Sequence, residues 1–237
     1  MSSVTAGQRT GPTAASIATA VASRVAVAGR KYLVELIGTF FLVFTVAVTA
    51  FIGGLLAPLA VGAILMVMIY AGGHISGGHY NPAITLAALV RRRIDTADAV
   101  AYWITQLVAG VLAALLARWA VHPHRVTTRT LTGHTQAAAF IAELLFTFAL
   151  CYVMLNVATS HDQPVNSFYG LAIGFTVTAG AITVGSISGA AFNPAITLGA
   201  ASIGLFAWTT LWIYLLAQII AGILAGLAFR TLNPTDK

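Results

Sequence analysis

Residues 73–85 read GHISGGHYNPAIT and residues 185–197 read GSISGAAFNPAIT, identical at nine of thirteen positions. The offset of 112 residues also relates Leu59-Ala60 to Leu171-Ala172, Gly62 to Gly174, Gln106 to Gln218 and Gly110 to Gly222. Near the start of each half, Glu35 opens E-L-I-G-T-F and Glu143 opens E-L-L-F-T-F, at an offset of 108. Self-similarity over so much of a chain marks two copies of one structural unit. Any fold for this chain has to be built twice.

The apolar runs show what each copy is. Six of them, at roughly 32–53, 56–73, 99–119, 137–158, 167–185 and 205–228, approach the ~20 residues that cross a hydrocarbon core. Only 8% of the chain is charged, against about 25% in a soluble domain, so most of the exterior faces lipid. There the backbone must satisfy its own hydrogen bonds, which makes the runs helices. Two further pieces, at about 81–90 and 193–203, are too short to span and read as re-entrant half-helices. Each copy then holds three full spans and one half-helix. Three is odd, so the second copy enters from the opposite side, related to the first by a pseudo-two-fold axis in the membrane plane.

The expected fold is an all-α integral membrane protein of six transmembrane helices plus two re-entrant half-helices in an inverted repeat. Its channel domain covers 32–230, with repeat one at about 32–121 and repeat two at about 137–230. Residues 1–31 read as a flexible cytoplasmic tail, with a transit-type leader as the alternative, and 231–237 as a short C-terminal tail. Nine basic residues (Arg9, Arg24, Arg30, Lys31, Arg91, Arg92, Arg93, Arg230 and Lys237) fall on the side of the termini, and three (Arg118, Arg125 and Arg129) on the other. The positive-inside rule therefore puts both termini in the cytoplasm of a cell membrane. Arg91–Arg93 reads as a topology anchor, with a lipid-head-group site as the alternative. The net charge of +6 is accounted for by this asymmetry and not by nucleic acid. Cys151, the single cysteine, lies within an apolar run and reads as a packed hydrophobe.

Asn81-Pro82 and Asn193-Pro194 stand where the half-helices begin. Asn is a strong N-cap and Pro is favoured at the first helical position. Each NPA triplet, Asn81-Pro82-Ala83 and Asn193-Pro194-Ala195, thus aims a helix N-terminus, with roughly half a positive charge, at the membrane centre. Two such ends disfavour cations and protons there, and the Asn amides offer donors to a passing oxygen. The glycine-rich stretches Gly73–Tyr80 and Gly185–Phe192 are expected to be non-helical, with carbonyls tolerable only along a wet path.

On these residues the chain resembles the aquaporin, or major intrinsic protein, family, over about residues 32 to 230. The resemblance implies one pore per protomer in a homotetramer, with Gly77, Gly78, His79 and Gly189 offering pore carbonyls. It makes Glu35, Glu143 and His74 scaffold for the loops. It sets the outer filter at Val61, Ala181, Ala190 and Ile196, where Ile196 replaces the arginine usual in the family and small apolar residues replace rings. A wide, uncharged filter for water or small neutral solutes is the expectation, with Arg118, Arg125 and Arg129 as possible displaced arginines. Thr197 stands where glycerol-specialised members carry an acid. Intramembrane glutamates leave a proton-coupled transporter as an alternative, and a non-conducting structural protein as another. His122, His124 and His134, between the halves, leave a minor metal-binding alternative. With no nucleophile–base pair or metal cluster in the spans, neither enzyme, cofactor, metal nor nucleic-acid partner is expected.

Overall fold

The computed structural model describes residues 14–164 and 166–236, with side chains from Gly29 onward. Its helices are α1 (Ala14–Ile52), α2 (Ala57–Ser76), α3 (Pro82–Arg91), α4 (Thr96–Val121), α5 (His134–Thr159), α6 (Tyr169–Ser188), α7 (Pro194–Ser202) and α8 (Leu211–Leu232). All but α3 and α7 are long and apolar enough to cross a bilayer. Helix α1 begins inside the stretch read as a tail, while residues 1–13 of that stretch lie outside the described residues.

Packing follows the repeat. Helix α1 lies on α2 and α4 as α5 lies on α6 and α8, and α2 meets α6 across the pseudo-two-fold. The half-helices are exchanged: α3 packs on α8 and α7 on α4, each against the last span of the other copy. Glycines permit these crossings. A Cβ on Gly110 would sit 2.6 Å from Ala195 O, and one on the equivalent Gly222 would sit 2.7 Å from Ala83 O. Gly62 and Gly174 face each other's carbonyls across the α2–α6 crossing in the same way. Small residues let backbones approach where lipid gives no hydrophobic drive to associate. The outward surface is apolar, with Leu55, Ile104, Trp119 and Ile182 exposed, as lipid requires.

The segment after α8 folds back. Arg91, expected as a topology anchor, is buried; it reaches Asp236 Oδ1 at 2.6 Å, Thr159 Oγ1 at 3.0 Å and the Phe229 ring at 4.2 Å. Arg92 and Arg93 remain exposed. The position of Arg91 on the inner face of α3 decides the difference, since the clasp partners come from α5 and the C-terminal segment. Burial pushes the Asp236 carboxyl up, but the His161 N–H, Arg91 and Ser160 together hold it below the ordinary carboxylate range. A depressed carboxyl contributes stability above its unfolded pKa and loses it as pH falls through the folded one. The His161 amide, 2.8 Å from Asp236 Oδ2, should therefore resist hydrogen exchange at neutral pH. After correction for intrinsic rates, that protection should fade only below about pH 4. Loss of protection already at pH 6 would contradict the clasp.

Candidate functional site

The two half-helices meet N-terminus to N-terminus. Asn81 and Asn193 are extended N-caps whose Oδ1 atoms accept from Ala83 N and Ala195 N, both at 2.8 Å. Their amides cross the pseudo-two-fold: Asn81 Nδ2 donates to Phe192 O at 2.8 Å and Asn193 Nδ2 to Tyr80 O at 2.9 Å. Each NH2 group has two N–H bonds, so one is spent on this cross-brace and one is left for the path.

The irregular stretches are shorter than the glycine content suggests. Helices α2 and α6 continue through Ser76 and Ser188, leaving only Gly77–Tyr80 and Gly189–Phe192 outside helix before each N-cap. Helix continues because Gly73 and Gly185 keep their backbone ladder, their carbonyls taking the N–H of Gly77 and Gly189 at 2.9 Å. The turn comes instead at left-handed residues, matched between copies: Gly77 with Gly189, Gly78 with Ala190, and Tyr80 with Phe192.

A buried carboxylate holds each loop in that shape. Glu35 accepts from Ser76 Oγ at 2.7 Å, His79 N at 2.9 Å, Tyr80 N at 2.7 Å and Gln106 Nε2 at 2.8 Å. Glu143 accepts from Ser188 Oγ at 2.7 Å, Ala191 N at 3.0 Å, Phe192 N at 2.8 Å and Gln218 Nε2 at 2.9 Å. Tyr102 and Tyr214 donate to Ser76 O and Ser188 O, both at 2.7 Å, so Tyr214 is a strut for the end of α6. His74 does not buttress its loop: it is exposed on α2 and donates no hydrogen bond among the described residues, because Ser76 faces the loop in its place.

Three spaces neighbour one another, each bordered by residues of the NPA loops. A mouth of about 440 Å³ on the side of the termini is bordered by Gly77, His79, Lys31 and Asp98. An enclosed centre of about 20 Å³ contains His79, both NPA asparagines and Ile196. A far mouth of about 610 Å³ is bordered by Gly189, Ile196 and Arg129. His79 borders both of the first two spaces and Ile196 both of the last two.

Val61, Ala190 and Ile196 come together at the centre, while Ala181, half-buried on α6, borders neither the centre nor the far mouth. Gly77, His79 and Gly189 border the path, and Gly78 is buried behind it. The ring is apolar as expected, but small residues at the filter do not make the centre wide. Leu42, Leu65, Ile84, Leu150 and Val177 fill it, leaving space for about one water. Sequence reasoning missed these five. The repeat could have found them: Leu42 pairs with Leu150 at offset 108, and Leu65 with Val177 and Ile84 with Ile196 at 112. Applying the two-fold to one known lining residue yields its partner.

Comparison with known proteins agrees with this geometry. The family model described as major intrinsic protein matches residues 30–229. Glycerol uptake facilitator protein-like 6 of Lactiplantibacillus plantarum is 41% identical over 217 residues, 87% of this chain and all of that protein. Nodulin-26 of Glycine max is 34% identical over 88% of this chain and 79% of its own length. The X-ray structure of the aquaglyceroporin from Plasmodium falciparum superposes with a TM-score of 0.74 at 20% identity, over 87% of this chain and 98% of that one; at that identity the likeness concerns the fold.

Proposed function

The chain belongs to the major intrinsic protein family, a family of channels for water and small uncharged solutes, and we propose that its permeants follow the path through both NPA asparagines. The observation that carries this reading is the succession of three spaces, the first two both bordered by His79 and the last two both by Ile196. It favours neutral molecules for two reasons. Two half-helix N-termini face the centre and repel cations. One free amide N–H on each asparagine, beside Gly77, His79 and Gly189 of the irregular loops, suits a molecule that both donates and accepts. Val61, Ala190 and Ile196 then act with the five aliphatic side chains as the filter. Ala181 enters only as a wall residue of α6.

Glycerol and urea are the permeants to try beside water, the former because a glycerol uptake facilitator-like protein is a relative. Both are larger than the space at the centre, so their passage requires the aliphatic ring to yield. We also propose a homotetramer in the cell membrane, as the family resemblance implies, with cytoplasmic termini, the orientation being supported by the basic residues on the terminal side. Cross-linking in native membranes would test the tetramer.

The test of function is stopped-flow light scattering on proteoliposomes. Osmotic shrinkage should exceed that of empty liposomes, and reswelling by glycerol or urea should be unsaturated and independent of a pH gradient. Rates equal to those of empty liposomes for water and for both solutes would refute the channel. Ile196→Arg should slow reswelling by the larger solutes about tenfold, because a long charged side chain enters an apolar ring with space for one water. Unchanged glycerol and urea flux in that variant would refute the filter assignment.

A further inference from the structure

We propose that Arg129, on the segment joining the two copies, supplies the fixed positive charge of the far mouth and with it a barrier to small cations. The inference rests on the channel reading above. The ring at Ile196 carries no charge, so whatever electrostatic barrier exists beyond the half-helix dipoles must come from the vestibule walls. Three arginines lie on that side. Arg118 is turned away and donates to Ile203 O, and Arg125 makes no hydrogen bond or ion pair among the described residues. Among the described residues, Arg129 is the one charged side chain that borders the far mouth, in the same wall as Ile196 and Gly189.

Its position is built from both ends. The backbone of Arg129 is clamped to the chain after α7: its N–H donates to Leu205 O at 2.8 Å, and Ala207 N donates to Arg129 O at 3.2 Å. The guanidinium is held by the end of α6, donating from Nη1 to Ser186 O at 3.0 Å and Ile187 O at 3.2 Å, and from Nη2 to Gly185 O at 3.4 Å. Its Nε lies 3.4 Å from where a Cβ on Gly189 would stand, directly beside the irregular loop that leads to Asn193.

The charge survives this anchoring. No carboxylate lies within ion-pair distance of Arg129 among the described residues. The α6 C-terminus, whose dipole end is worth roughly half a unit of negative charge, offsets this charge in part but does not neutralise it. The opposite mouth differs: Lys31 and Arg93 border it together with Asp95 and Asp98, and Lys31 pairs with Asp98 at 2.8 Å. A residual charge in a partly apolar wall repels cations more strongly than the same charge in bulk water, while a neutral solute feels it only through its dipole.

The test compares wild type with Arg129→Gln and Arg129→Lys in proteoliposomes carrying a trapped pH dye, under a potassium–valinomycin clamp. Urea reswelling is measured on the same preparations. Arg129→Gln should raise proton entry about tenfold while urea flux stays near wild type, and Arg129→Lys should stay low in proton entry. Proton entry unchanged in Arg129→Gln, with urea flux retained, would overturn the role of Arg129 alone. Absent water, glycerol and urea flux in wild type would overturn the channel reading and this inference with it. Because Gln could also loosen the α6 anchor, Arg129→Cys provides a second readout, Cys151 being buried. A cationic methanethiosulfonate should suppress its proton entry and a neutral one should not; equal effects would overturn the proposal.

Discussion

Glu143→Ala should yield a strongly destabilised protein that does not conduct. The substitution leaves four donors without their acceptor: Ser188 Oγ, Ala191 N, Phe192 N and Gln218 Nε2, all within 3.0 Å of the carboxylate. Glu143 is fully buried, so water does not replace it. Each buried donor left unpaired costs about 1–3 kcal/mol. Four of them reach the scale of the about 5–15 kcal/mol that holds a domain together. A lowered thermal midpoint in detergent and loss of reswelling are the expected readings, and Glu35→Ala should match them by symmetry. Glu143→Gln is the sharper variant. Its amide keeps one accepting oxygen but turns an NH2 group toward two donors, so it should also destabilise. A proton-coupled transporter demands another outcome, a stable Glu143→Gln variant whose flux has merely lost its dependence on the proton gradient. That result, or an unchanged midpoint in Glu143→Ala, would remove the scaffold role.

Gly222→Val should bring solute flux down to the level of empty liposomes while leaving helix content near wild type. A Cβ at this position lies 2.7 Å from Ala83 O. The neighbour is backbone at the first turn of α3, so nothing flexible can give way. Relief requires α8 and α3 to separate, which carries Asn81 off its cross-brace to Phe192 O. Overpacking of this kind costs about 1–3 kcal/mol or more, and a displaced N-cap takes the path with it. Gly110→Val should do the same to α7 through Ala195 O, 2.6 Å from its Cβ. Gly29→Ala is the control, since nothing stands within 4 Å of its Cβ. Full urea flux in Gly222→Val would mean that the α3–α8 crossing does not set the path.

Much of this was legible without coordinates. The 112-residue repeat, the lengths of the apolar runs and the odd number of spans per copy together require an inverted pair. Asn-Pro at the head of a short apolar piece is a helix start by local chemistry alone. The matched glutamates announced a shared structural task because a lone carboxylate in lipid must find donors. What failed was the reading of faces. His74 is exposed where the resemblance implies scaffold, helix runs further than the glycine-rich stretches suggest, and Arg91, expected as a topology anchor, is buried while Arg92 and Arg93 are exposed. The five aliphatic residues that fill the centre are placed there by the structure, although the repeat pairs them in sequence.

The reason lies in the solvent. In water, a helix face turned to the core differs in polarity from one turned outward, and periodicity reports it. In a bilayer both faces are apolar, so Leu42 in the path and Leu33 toward lipid look alike in sequence. Chain-local quantities were therefore determined by the sequence itself: span number, inversion, N-caps and the paired acids, each fixed by backbone hydrogen bonding against a hydrocarbon of set thickness. Which side chains meet at the axis was decided by helix crossings alone. So were the burial of Arg91 under the C-terminal segment and the place of Arg129 at the far mouth, because each depends on contacts between residues distant in the chain.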